Sequence, residues 1–319
     1  MKKVLLLLPA NSSFSNPLIS AFQDLGWEVK MFDYRKGDMP IRILRFLPIF
    51  GGFSKAKNRL NEKIFNINNQ FRPDIILTVK GESLDEQLIK KIKGKNNKII
   101  NWFPDPMNLW DLMVKIAPYY DFFLHFDPYI VRKLEKIGYR NVKYLPFASD
   151  IQEKVDFKKE YDISFVGTYS KYREKLLSAL TEFNLNIWGD PRWFKSSLKP
   201  FIRGGRIHQN KMKSIIKKSK INLNIHYNAP REGANLRTFE VTGSGGFLLS
   251  DYLKDLDKLF KIGDEMTCYK AVKDLQSKAS FYLKNEELRE KIAQKGYKRA
   301  KNYHNYKKRT KQLLELINE

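Results

Sequence analysis

Short, continuous apolar runs alternate along the chain with longer stretches of helical period. Val4–Leu8, Asp74–Val79 ("DIILTV"), Lys98–Phe103 ("KIINWF") and Asp121–His125 ("DFFLH") lack polar alternation, as strands covered on both faces do, and Trp27–Phe32 and Val142–Leu145 read as further strands. Pro17–Leu25, closed by Gly26, the charged Ser83–Lys93 and Val131–Ile137 carry the helical spacing between them. At "DIQEKVDFKKE", Asp150–Glu160, periodicity gives way to charge, and the pattern then restarts. Tyr161–Thr168 ("YDISFVGT"), Leu185–Asp190 ("LNIWGD"), Ile221–Tyr227 ("INLNIHY"), Gly246–Asp251 ("GFLLSD") and a short "MTCY" read as strands, with helices at Tyr172–Phe183 and from Leu275 onward. The expected class is α/β: two Rossmann-like, doubly wound domains facing across a cleft. The expected boundaries are 1–150, a linker at 151–160, a second domain at 161–297, and a C-terminal helix, 298–319, returning to the first domain.

Composition narrows the setting. The chain has 319 residues, 42% of them hydrophobic and 13% aromatic, which suits two ordinary globular cores rather than a disordered polymer. Its one cysteine, Cys268, excludes a disulfide framework and fits a reducing cytoplasm, and no Cys/His spacing suits zinc. The N-terminal apolar run stops at Pro9 after about five residues, short of the roughly seven of a secretory h-region, and reads as a first strand. No stretch reaches the roughly 18 apolar residues of a membrane span. The net charge of +24 implies either an anionic partner or a lysine-rich, low-GC genome. The charge is dispersed, with 25 basic against 16 acidic side chains before Val155 and 34 against 19 from there on, so no single basic tail explains it.

Candidate chemistry gathers in two stretches of the second half. In "SFVGTYSKYREK", 164–175, a strand ends at Val166, Gly167 turns the chain, and Thr168 offers a hydroxyl near a helix start. Such a start is an anion site, and Arg173, one turn on, is placed to reach a phosphate. The loop is not a P-loop, and the loop after the first strand lacks G-x-G-x-x-G, which disfavours a nicotinamide or flavin enzyme. The second stretch is "REGANLRTFEVTGSGGFLLSD", 231–251. Glu232 and Glu240 are eight positions apart, some 12 Å if the interval were helical, too far to share a proton and suited to gripping two parts of one extended ligand. Glu240 suits the hydroxyls of a ribose, Glu232 the hydroxyls of a sugar. Arg237 and the amides around Asn235 and Leu236 suit a diphosphate between them. Ribose, diphosphate and sugar together make a nucleotide-sugar.

These segments carry a resemblance. E-x7-E followed by "GSGGFLLSD" resembles the donor-binding signature of GT-B-type glycosyltransferases. The ordered set "FVGT…R", "INLNIHY", "GANLRTFEVTGSGGFLLSD" and "YHNYKKR" resembles the CgeB-like, group 1-related glycosyltransferases over residues 161–310. The resemblance implies a GT-B fold, a donor held by the C-terminal domain, and neither metal nor cofactor beyond the nucleotide-sugar itself. It places Gly167, Thr168 and Arg173 in the first donor loop, Asn235, Arg237 and Glu240 on the helix that grips diphosphate and ribose, and Gly245 where that helix packs on the next strand. Glu232 follows the pattern less closely than Glu240. E-x7-E favours retention of anomeric configuration.

The acceptor side offers fewer signals. Asp105, between two prolines in "NWFPDPMN", is the candidate acceptor-side base or hydroxyl ligand. His125 and His226 each end a strand, and each reads equally as a structural histidine or a site residue; His304 reads as packing. Residues 41–60, "IRILRFLPIFGGFSKAKNRL", interleave apolar and basic side chains. They suit either an interfacial anchor on an anionic inner membrane face or a helix covering the first sheet. The expected activity is thus glycosyl transfer to a glycan or lipid-linked acceptor in envelope or surface glycan synthesis. Nucleic-acid binding is the second reading, raised by the charge and by 16 Tyr and 22 Phe but lacking any RNP-like, helix-turn-helix or zinc-finger pattern. A catalytically silent GT-B relative with a structural role is the third.

Overall fold

The computed structural model describes residues 1–10, 12–35, 52–153, 157–207, 209–227 and 229–318. The chain divides into two compact units, Met1–Pro146 with Tyr306–Glu319, and Phe147–Asn305.

The first unit is built on β1 (Lys3–Leu7), β2 (Glu28–Phe32), β3 (Ile75–Val79), β4 (Lys98–Phe103), β5 (Phe122–His125) and β6 (Val142–Tyr144). They form one parallel sheet in the order β2-β1-β3-β4-β5-β6. β3 is buried throughout, and β1 and β4 are buried at all but their first residue, so these strands show apolar runs rather than alternation. Leu60 and Ile64 of the helix Gly52–Phe71 join Leu5, Leu7 and Ile76 in the core. Only this later part of the basic, apolar segment 41–60 belongs to the described structure; residues 41–51 lie outside the described residues. The last helix, Tyr306–Leu316, packs on the helix Ser15–Gln23, and the Lys98 ammonium donates to the Ile317 carbonyl.

The second unit carries β7 (Tyr161–Gly167), β8 (Leu185–Gly189), β9 (Ile202–Gly204), β10 (Ser219–Asn224), β11 (Leu248–Asp251) and β12 (Thr267–Tyr269). Its sheet is also parallel, in the order β12-β11-β10-β7-β8-β9. Counted within the unit from the β9 edge this is 3-2-1-4-5-6, the order of doubly wound dinucleotide-binding sheets. Of the stretch expected as a linker, 154–156 lie outside the described residues. The chain just before them is tied into this unit: the Ser149 amide donates to His304 (2.6 Å), its hydroxyl to the Phe239 carbonyl (2.7 Å), and the Gln152 amide to Gly243 (3.1 Å). A Cβ on Gly243 would lie 2.6 Å from that of Ser149, so the close approach requires glycine.

Among the described residues, no helix is long and apolar enough to cross a membrane.

Candidate functional site

Ligands of open parallel sheets bind outside the carboxyl ends of the strands, at the point where strand order reverses. In the second sheet that point lies between β7 and β10, and two loops leave it there: Gly167–Ser170 and Ile225–Tyr227. Arg173, in the first turn of the helix Lys171–Ser178, joins them. Its Nε and Nη2 donate to the Ile225 carbonyl (3.0 and 2.7 Å), and its Nη1 donates to the carbonyl and hydroxyl of Thr168 (2.9 and 2.8 Å). The Tyr227 ring covers the guanidinium at 4.5 Å, and the Tyr227 hydroxyl meets that of Thr168 at 2.8 Å. A guanidinium has five N–H donors; with four engaged and only 6% of the residue exposed, Arg173 is a clamp on the two loops. In this arrangement four of its donors face the two loops and one N–H is left over for the phosphate expected of it. The desolvation of the buried cation is offset by the two carbonyls, the Thr168 hydroxyl and the Tyr227 ring. Burial pulls the Arg173 pKa below its ordinary value, against the opposing pull of Tyr227 and Asp251.

The end of β8 closes one side of these loops. A Cβ on Gly189 would fall 2.0 Å from the Gly167 carbonyl oxygen, which instead accepts from Trp193 Nε1 at 2.9 Å. Asp190 accepts from the Tyr169 amide at 2.8 Å, and hydrogen bonds from Arg192 hold its carboxyl well below the usual range.

The helix Leu236–Gly243 begins directly over the switch point. Asn235 is its N-cap: the side-chain oxygen accepts from Thr238, and its Nδ2 donates to Asn224 Oδ1 at 3.0 Å. The Asn235 amide donates to His226 Nε2 (3.1 Å), and His226 Nδ1 lies 2.6 Å from Asp251 Oδ1. An amide only donates, so Nε2 is the acceptor and the ring proton sits on Nδ1, directed at Asp251. The chain from Asp251 through His226 to Asn235 therefore ties the ends of β11 and β10 to the start of this helix. Burial pushes the Asp251 carboxyl up, but hydrogen bonds from the His226 ring and amide, together with the charge of Arg231, hold it below the usual carboxylate range. His226, open to two readings in the sequence, is thus part of the scaffold of the site.

Beyond the cap, the amides of Leu236 and Arg237 have no hydrogen-bond partner among the described residues. These are orphan donors of a helix N-terminus, where an anion is favoured. Arg237 pairs with Glu240 through Nη1, and that nitrogen also reaches Met212 Sδ at 2.9 Å. Its Nε is buried without a partner among the described residues. Both side chains stay partly open, 21% for Arg237 and 24% for Glu240. Glu232 lies in the loop before the helix, where its carbonyl accepts from the Asp255 amide at 3.2 Å. The interval between the two glutamates is part loop and part helix, so the all-helical separation does not apply. The structure thus gathers Gly167, Thr168, Arg173, Asn235, Leu236, Arg237 and Glu240 around one switch point. Asn235 and Arg173 hold it together, while Leu236, Arg237 and Glu240 present donors and a carboxylate.

Gly245 has φ +76 and only one neighbour at 4.0 Å, so its requirement is the left-handed turn that ends the helix. Close packing falls on Gly246 instead, where a Cβ would meet Ile216 at 2.6 Å and Asn222 at 2.7 Å.

Asp105 belongs to the first unit, beyond the end of β4. Its carboxylate meets Lys80 Nζ at 2.9 Å, and its carbonyl faces His125 Nε2 at 3.0 Å. The Asp127 amide donates to His125 Nδ1 (3.0 Å), so His125 is a neutral strut for the Asp105 loop. Burial pulls its pKa down to about 4. His304 is likewise packing, set between Phe239 and Phe260 with Nε2 on the Leu259 carbonyl at 2.7 Å.

Residues 172–315 match the family described as "Glycosyl transferase-like". That match is to the broad family and does not address the narrower CgeB-like group. Three solved structures of GT-B glycosyltransferase type share the fold. Sucrose-phosphate synthase from Thermosynechococcus elongatus aligns with a TM-score of 0.70 and 11% identity, over 100% of this chain and 98% of that one. HepE from Anabaena, solved with UDP and glucose, aligns at 0.65 and 13%, over 100% of both chains. The lipopolysaccharide outer core galactosyltransferase WaaB aligns at 0.65 and 15%, over 98% of this chain and 99% of that one. No curated protein sequence matches the chain.

Proposed function

We propose that this chain, which is of the GT-B glycosyltransferase type, transfers a sugar from a nucleoside-diphosphate-sugar to an acceptor hydroxyl. One observation carries the donor assignment: the unpartnered amides of Leu236 and Arg237 and the Arg237–Glu240 pair stand together at the switch point of a 3-2-1-4-5-6 sheet. Under this reading the diphosphate lies on the two amides and on Arg237, whose buried Nε awaits an acceptor. Glu240 exchanges Arg237 for the ribose hydroxyls, and Glu232 meets the sugar. The charge that develops on the leaving diphosphate is met by donors already in place, which lowers the barrier without reorganisation. Arg173 contributes by fixing the loops that carry Thr168 and Tyr227.

The configuration we propose is retained: the departing phosphate oxygen takes the acceptor proton on the face it leaves. No strong protein base is then required, and Asp105 serves as a hydroxyl ligand; as a base it belongs to the inverting alternative. We propose that the reaction needs no metal and that the acceptor is a glycan or lipid-linked glycan of the envelope. The setting we propose is the cytoplasm, with the basic segment 41–60 meeting an anionic membrane face.

Arg237 provides the test. In Arg237→Ala, calorimetric affinity for UDP or GDP should fall at least tenfold, consistent with about 1.5–3 kcal/mol for a hydrogen bond to a charged group. Affinity for the matching bare nucleoside should stay within about twofold, since it has no phosphate to lose. Equal weakening of both ligands would assign Arg237 to the fold rather than to the diphosphate.

A further inference from the structure

The first unit has its own switch point, between β1 and β3, where β2 and β3 flank the first strand on opposite sides. The chain leaving β3 there is unusual. Lys80 has φ +68 and Gly81 φ +73, and Lys80 is one of only two non-glycine residues in the left-handed region among the described residues. A side-chain-bearing residue in that region is strained, and such conformations persist where the surroundings over-determine them. They do so here. The Lys80 amide donates to the Trp102 carbonyl (3.2 Å), and Asn101 Nδ2 donates to the Lys80 carbonyl (3.0 Å). The buried Tyr34 hydroxyl takes the Gly81 amide at 3.2 Å and lies 2.9 Å from both the Val79 carbonyl and Glu82 Oε2. Burial, then Glu82, raises the Tyr34 pKa beyond the ordinary tyrosine range, so the hydroxyl remains a donor.

Glycine would make this turn without strain. What lysine adds is its ammonium, which the turn delivers to Asp105 at 2.9 Å. The backbone that carries this carboxylate is fixed, between Pro104 and Pro106 and through the His125 bond to the Asp105 carbonyl. Both side chains remain partly open, 22% for Lys80 and 31% for Asp105. A second acid–base pair, Arg35 with Glu82 at 2.6 Å, shares Tyr34 with the same turn. A carboxylate that only accepts and an ammonium that only donates, side by side, match neighbouring hydroxyls, each of which does both. The single hydroxyl of an alkyl alcohol would answer at most part of the pair, while its chain desolvates the rest.

We propose that the Lys80–Asp105 pair, presented by the left-handed Lys80–Gly81 turn, is a subsite for a polyhydroxylated acceptor, the saccharide part of a glycan or glycoconjugate. This rests on the reading of the chain as a glycosyltransferase and deepens it by assigning Lys80, beside Asp105, to the acceptor. Saturation-transfer NMR on the full chain tests it, with the methyl glycosides of glucose, galactose, mannose and N-acetylglucosamine as probes and 1-hexanol as the apolar comparison. At least one glycoside should bind, and hexanol should not compete. Lys80→Ala and Asp105→Asn should each lose at least about tenfold in that affinity, the scale of one charge-assisted hydrogen bond. Lys80→Gly should lose as much while its Tm rises by a few degrees, because the strain is gone and the fold kept. Glu240→Ala should bind the glycoside unchanged, so a failed donor reading and a failed acceptor subsite give different patterns. The proposal is overturned if no glycoside binds, if hexanol competes, if Lys80→Gly binds like the wild type, or if Glu240→Ala abolishes the signal.

Discussion

Replacing Glu240 by alanine is expected to cut nucleoside diphosphate affinity by about tenfold to a hundredfold while leaving the fold intact, from a loss of roughly 1.5–3 kcal/mol. Two effects act in the same direction. The ribose loses the carboxylate that accepts its hydroxyls, and Arg237 loses the partner that holds it over the helix start. Glu240 is on the open face of the helix Leu236–Gly243 and has no other role in the core, so a folded variant is the expected outcome. Calorimetry with UDP and GDP, and a thermal transition unchanged within a few degrees, make the comparison. Glu240→Gln separates the two effects. It keeps an oxygen for the ribose but removes the charge that pairs with Arg237, and its loss should be smaller. Wild-type affinity in a folded Glu240→Ala would remove the carboxylate from the binding site.

The largest stability effect is expected at Asp251. Asp251→Ala strips the acceptor from the His226 ring and amide together, inside a pocket where His226 is only 1% exposed. Each hydrogen bond to the charged carboxylate that is lost costs about 1.5–3 kcal/mol, and the ring and the amide lose theirs together. Asp251→Asn keeps an oxygen for the ring proton and should lose less. The carboxyl sits below its ordinary pKa. Its contribution is therefore fully present above the unfolded carboxylate value of roughly 3.9 and is lost as pH falls through the lower folded value. Urea midpoints at neutral pH should thus show the full deficit of the alanine variant, and the gap to wild type should narrow only in strong acid. A deficit below about 1 kcal/mol at pH 7 would mean the bonds to Asp251 do not hold the helix start. Nucleotide affinity should fall as well in Asp251→Ala, since the Asn235 amide then loses its ordered acceptor and the helix start is no longer fixed.

Apolar runs such as "KIINWF" and "DIILTV" marked β4 and β3 within one residue because parallel strands are buried on both faces and show no alternation to confuse them. β9, "IRG", escaped because a three-residue edge strand carrying Arg203 and Gly204 has no such signature. The start of the helix Leu236–Gly243 was legible at Asn235, whose side chain caps it by accepting from the Thr238 amide. Arg237 and Glu240, three apart, had the spacing of neighbours on a helix surface. Asp251 was not legible. It meets His226 across twenty-five positions, through the parallel register of β10 and β11, and spacing along a chain does not carry that. The role of Arg173 was hidden for a related reason: an arginine in a first helical turn reads as exposed until the Ile225 carbonyl arrives beneath it from another strand. Lys80 had no sequence signal either, since the left-handed turn is imposed by Tyr34, Asn101 and Trp102 from three separate segments.

Hydrogen exchange of the full chain, with and without saturating UDP, GDP, ADP or dTDP, tests the central claim most directly. The account predicts that at least one of these ligands slows exchange at the amides of Leu236 and Arg237, with further protection in 167–173 and 225–227 and little change at 80–82 or 101–105. No protection by any of the four, or protection centred on the first unit, would contradict a nucleoside diphosphate site at the switch point between β7 and β10.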